Sequence, residues 1–165
     1  MAAAEKAAEN DVVLEAAFQE ALRAAQATSM ADPFPDVKVK RSVRGIAKVT
    51  SSSNSLLSRG SLYGALKLLS KGIFVVEQQL VRDLPQDLLS AVYSKRALIY
   101  SKLRRWEEVA RDSSKALALD PQSRPARCRL ALAQCALSRH ISADLEQLVE
   151  DLGVGAGDTE AHELK

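Results

Sequence analysis

The sequence predicts an all-α fold, a short helical-repeat solenoid with an additional N-terminal helix. Three observations predict it. Apolar residues recur at threes and fours along most of the chain, the spacing of one helix face. The apolar content is 47% with only seven aromatics (one Trp, three Tyr, three Phe), much of the rest being alanine and leucine. Alanine favours helix and lets neighbouring helices approach closely. Between Gln86 and Leu119 two helical patterns follow one another across a short turn.

The elements are taken in chain order. Residues 1–10 read as a flexible N-terminus. Val12, Leu14, Ala17, Phe18, Ala21, Leu22 and Ala25 form an apolar stripe, so a helix is expected over 11–27 with Asp11 as N-cap. The run Asp32-Pro33-Phe34-Pro35-Asp36 stops it, because proline cannot sit inside a helix. Residues 31–55 then read as an extended basic linker ending in a serine run, the Val37-Lys38-Val39-Lys40 alternation having no partner strand. Helical spacing resumes near Asn54 and continues through Leu80, with a break near Gly60 that would make two helices. Helices over 87–103 and 106–119 follow, joined at Arg104-Arg105 and closed by Asp120-Pro121. A further helix starts between Ser123 and Ala126, and another near Ser142, with His140 in the turn between them. The helical domain spans 56–152, and Gly153 opens a flexible acidic tail, 153–165.

The segment from Ala91 to Pro121 resembles a tetratricopeptide repeat, a helix-turn-helix unit of about 34 residues. The unit lies at 90–123. Tyr93 takes the first aromatic position, Ala97 the small position of the first helix and Tyr100 the next large one. Trp106 opens the second helix, Ala116 takes its small position and Pro121 the terminal proline, while Val109 stands where alanine is usual. A following unit would run from Arg124 to Gly157 with Leu130, Ala131, Leu137 and Ala143 in place. A preceding one would include Leu62 to Ile73, with Ala65 and Gly72 as its small residues. The resemblance implies a curved solenoid whose first helices line a concave face, and a function in binding other proteins.

Chaperone-binding members of that family hold a peptide's terminal carboxylate with basic and amide side chains. Here Arg129 stands at a matching arginine position and Ser53 or Asn54 near an amide position. Lys95 replaces the usual asparagine, and Pro125 an expected lysine. The wider expectation is a basic peptide-binding groove carrying Lys95, Lys102 and Arg129, against which stands the simpler reading of a solvated helix face. Arg96 and Arg127 are placed to turn inward with snorkelling ends. The groove's ligand would be an acidic peptide, the chain's own Asp151–Glu163 stretch included.

The net charge of +2 is too small to imply a polyanion partner by itself, but the charge is unevenly spread. Lys38, Lys40, Arg41, Arg44 and Lys48 form a basic cluster, and the C-terminal stretch is acidic. Such a cluster can grip phosphates. It has no interleaved aromatics for base stacking, so wrapping along a larger assembly is the preferred reading over nucleic-acid or ribonucleoprotein association. Phosphate added to the adjoining serines would cancel its charge.

No catalytic site is expected: His140 and His162 have no neighbouring nucleophile and carboxylate. Cys128 and Cys135 give no zinc spacing and no easy bridge, so neither metal nor cofactor is expected. The N-terminus lacks the pattern of a signal peptide, and no apolar run reaches spanning length, so a cytoplasmic or nuclear protein without membrane contact is expected. The function expected is a non-enzymatic adaptor, a subunit or assembly factor of a larger complex. The alternatives are a co-chaperone module binding acidic chaperone tails and association with nucleic acid through the basic segment.

Overall fold

The computed structural model describes residues 12–23 and 31–151, those from 140 to 151 by their backbone alone. The expected N-terminal segment 1–10, the outer residues of the 11–27 helix, His162 and the acidic tail lie outside the described residues. Helix α1 covers 12–23. Five more follow: α2 (Val43–Ser58), α3 (Leu62–Glu77), α4 (Gln86–Lys102), α5 (Trp106–Leu119) and α6 (Arg124–Asp151). Among the described residues the fold is all-α, a short helical-repeat solenoid. Each helix from α2 onward packs on the next, and α4 also touches α2 and α6. The helices α2, α4 and α6 therefore stand side by side, while α3 and α5 form a second layer behind them.

The basic linker expected over 31–55 is only partly extended: residues 43–55 are helical. Ser42 caps that helix, its Oγ accepting from the Gly45 amide at 3.1 Å. Ile46, Val49 and Ser53 recur at helical spacing and are buried. The serines and threonine bond to the helix's own carbonyls, Thr50 to Ala47 and Ser53 to Thr50 (2.6 and 2.8 Å), so their hydroxyls do not compete for the backbone amides. The break near Gly60 is present. Gly60, at φ +78°, lets the Ser61 amide reach the Leu56 carbonyl (2.9 Å), a Schellman ending. The same ending closes α3 on Gln79 (φ 55°) and α4 on Arg104 (φ 56°), side-chain-bearing residues in left-handed backbone.

The helix expected from Ser142 is a second correction. Residues 124–151 form one continuous helix of 28 residues. Between Ala126 and Asp151 there is neither glycine nor proline to stop it, and Pro125 sits in the first turn, where its missing amide proton costs nothing. His140 lies inside this helix rather than in a turn.

The core runs through all layers. Leu66, Leu69 and Ile73 of α3 meet Val92, Ile99 and Tyr100 of α4, and Val109 and Ala116 of α5 close the far side. Ala97 and Ala116 are fully buried, Tyr93 and Tyr100 nearly so, and Trp106 packs partly buried against them. Pro121 is exposed in the α5–α6 turn, its carbonyl accepting from Arg127 at 2.9 Å. Helix α1 is held by Phe18, which stacks on Phe34 (centroids 5.4 Å apart) and leans on Tyr63. Lys71 in turn ties the Phe34 loop to α3, pairing with Asp32 and donating to the Phe34 carbonyl at 3.1 Å.

One buried polar fork joins three helices. Arg96 of α4 donates to both carboxylate oxygens of Asp112 on α5, at 2.6 and 2.8 Å, and to Ser70 Oγ of α3 at 3.3 Å. Asp112 is 1% exposed. The guanidinium lies near the rings of Tyr93 and Tyr100. Burial disfavours the charged arginine, but the bonds to Asp112 and its charge more than reverse this, and the pKa stands above the ordinary value. Arg96 stays charged.

Three outcomes are expected in urea denaturation. Asp112→Ala leaves a buried guanidinium unpaired and should cost about 3–5 kcal/mol, whereas Arg96→Met with Asp112→Leu should recover most of that loss. Arg104→Gly relieves the left-handed backbone at the end of α4 and should add about 0.5–1 kcal/mol.

Candidate functional site: a groove between α4 and α6

The row of α2, α4 and α6 positions the first candidate site. Lys95 faces out of α4 one residue before the inward Arg96. Its Nζ donates to Asn54 Oδ1 of α2 at 2.6 Å. From α6, Arg129 donates through Nη1 to both the carbonyl (3.1 Å) and the hydroxyl (2.7 Å) of Ser94 on α4. Lys95 and Arg129 border a groove of about 300 Å³ that Leu98 and Pro125 also line. Both cations are held below their ordinary pKa values. Burial lowers each, and the nearby Arg129 charge lowers Lys95 further. Two cations pressed together and partly dried form a place where an anion relieves an existing cost.

Asp87 and Asp120 line the same groove. Together with Ser90, Ser94 and Ser123, they are polar lining residues that sequence reasoning missed. Nothing in their spacing marks them: Asp87 is a first-turn acid of α4, and Asp120 bonds the Gln122 amide in the following turn (3.0 Å). The groove thus has both a basic and an acidic part. Lys102 lies two turns beyond Lys95 and is exposed at the last turn of α4, outside the residues that line the groove. Arg127 stays exposed, while Arg96 is the arginine that turns inward.

A second concave site lies at the start of α2. Lys38 and Lys40 from the loop, and Arg44 and Lys48 from the helix, line a cleft of about 530 Å³ over a floor of Val39, Val49 and Leu68. Arg41 lines a smaller neighbouring cleft, with Asp32 and Lys71. Gly45 fixes the loop against the helix. A Cβ there would lie 2.1 Å from the Lys40 carbonyl oxygen, so only glycine lets the strand of backbone come so close.

Cys128 and Cys135 are exposed, unbridged thiols on α6. Among the described residues no group of three His, Cys, Asp or Glu is placed to hold a metal ion. No described helix is long and apolar enough to cross a membrane. Comparison of the chain with protein-family models, with curated proteins and with solved structures found no match.

Proposed function

We propose that this chain is a non-enzymatic protein-interaction adaptor of the tetratricopeptide-repeat kind, a subunit or assembly factor that receives an acidic peptide segment in the groove between α4 and α6, with Asn54 of α2 beside it. The observation that carries this reading is the convergence of Asn54, Lys95, Ser94 and Arg129 from three successive first helices on one face. An extended peptide lying across them meets amide and hydroxyl groups as well as cations. Asp87 and Asp120 favour a ligand of mixed charge, acidic where it meets Lys95 and Arg129.

A second reading makes the ligand the acidic chain end of a chaperone. The Lys95–Asn54 contact favours it, because a cation and an amide stand together where a terminal carboxylate needs several donors. Pro125 in the groove wall supplies no donor and weighs the other way.

The test is affinity capture from native extract in mild salt, followed by titration of the recovered partner's acidic segment. Lys95→Ala with Arg129→Ala should weaken binding at least about tenfold and flatten its salt dependence. Unchanged binding would sink the groove reading. Affinity should also fall with rising pH. The ligand prefers protonated Lys95, whose free-state pKa lies below 10.5, so binding is lost as pH climbs through that lowered value. A Lys95→Arg variant should lose this pH dependence.

A further inference from the structure

The groove reading leaves the cleft at the start of α2 unused, and the cleft's chemistry differs. We infer that it is a binding site for a small polyphosphorylated group of the inositol-phosphate class, whether free or carried as a lipid headgroup. Lys38, Lys40, Arg44 and Lys48 all line it, and no carboxylate does. Among the described residues none of the four is in an ion pair; the pairs present there involve Lys71, Arg96, Arg105 and Lys115. Four like charges around one cavity repel, and a multivalent anion removes that cost.

The geometry is prepared in advance. Arg44 and Lys48 are one turn apart on a single helix, so they project from the same side. Lys38 and Lys40 come from a loop that Gly45 holds within backbone contact of that helix. The loop is tethered further by Phe34, 2% exposed in the core, and by the Lys71–Asp32 pair. The cations therefore face the cavity from two sides without a large ordering cost on binding. Ser42 and Ser52 add hydroxyls to the rim.

Size and lining choose the ligand. A cavity of about 530 Å³ is in the range that holds a small molecule. Its walls are aliphatic and carry no aromatic ring on which a base would stack, which disfavours a nucleotide or single-stranded RNA. Val39, Val49 and Leu68 suit the C–H face of a saturated ring, and the surrounding cations suit its phosphates.

The experiment is calorimetric titration of the full chain with inositol hexakisphosphate at physiological ionic strength. Expected is saturable one-to-one binding, weakened at least about tenfold by Lys40→Glu with Arg44→Glu, and to a lesser extent by the milder Lys40→Gln with Arg44→Gln. Arg82→Glu with Arg111→Glu makes the same charge change on exposed residues outside the cleft and should leave binding intact. A parallel arm uses phosphatidylcholine vesicles with a few per cent phosphatidylinositol bisphosphate. Vesicle binding lost in the Lys40/Arg44 variants assigns the group to a lipid, and soluble binding alone assigns it to a free ligand. Absence of saturable binding overturns the inference. So does equal loss in both glutamate pairs, or displacement of the inositol phosphate by single-stranded RNA at equal phosphate concentration.

Discussion

The arrangement of this chain depends on a buried charge. Arg96 and Asp112 meet two oxygens to two nitrogens between α4 and α5, and the same guanidinium reaches Ser70 of α3. A bidentate fork tolerates little sliding or rotation, so it sets the register of α4 against both helices of the second layer. The neighbouring Tyr93 reinforces this, donating to Glu77 of α3 at 3.0 Å. Burial, then the Glu77 charge, pushes that phenol's pKa upward, so it stays a donor. Once α4 is fixed about its axis, Lys95, one residue earlier and about 100° round the helix, is turned away from Asp112 and toward Asn54 of α2. A packing decision on one face of α4 becomes a placement of charge on the adjacent one.

The N-terminal part follows a different logic. Little of it is held by regular repeat packing. Phe18, Phe34 and Tyr63 form a small aromatic centre, and Lys71 closes over the Phe34 loop through an ion pair and a carbonyl contact. With its Gln19 amide oxygen turned toward the α4–α5 turn, α1 also accepts from Arg105. Close approach does the remainder: at Gly72 a Cβ would meet the Val49 side chain at 3.1 Å, a tight contact that marks how near α2 and α3 lie. The segment that carries the basic residues is thereby a built surface, with its backbone pinned at both ends.

The two concave sites differ in how their charges are balanced. The groove between α4 and α6 sets two partly dried cations beside Asp87 and Asp120, a mixed lining that the proposed peptide would match with charge varying along its length. The cleft at the start of α2 has one sign only and a short reach. As proposed, the first would discriminate by pattern and the second by charge density. One chain can offer both because the solenoid exposes the face of its first helices and its N-terminal edge separately.

Local rules determined much of this protein. The periodicity of Leu88 to Leu119 marked α4 and α5 to within a residue, since stripe, turn and proline stop all agree there. The tetratricopeptide resemblance of the same segment marked Tyr93, Ala97, Tyr100, Trp106, Ala116 and Pro121 as packing positions; four of them are buried, Trp106 is partly buried and Pro121 is exposed. The helix over 43–58 was hidden because serines and basic residues outnumber its few apolar anchors, and their hydroxyl bonds to the backbone show only once the helix exists. The unbroken α6 was hidden by an expected repeat turn that no glycine or proline enforces. Lys95, Arg129 and the basic cluster were legible as charges, but their companions were not. That Asn54 meets Lys95, that Asp87 and Asp120 share the groove, and that Arg96 finds Asp112 are facts of how helices cross. Those contacts join residues distant in sequence, and no local spacing encodes the angle and register at which two helices meet. The sequence by itself determined the helices and their inward faces; only the tertiary structure decided which outward charges stand together.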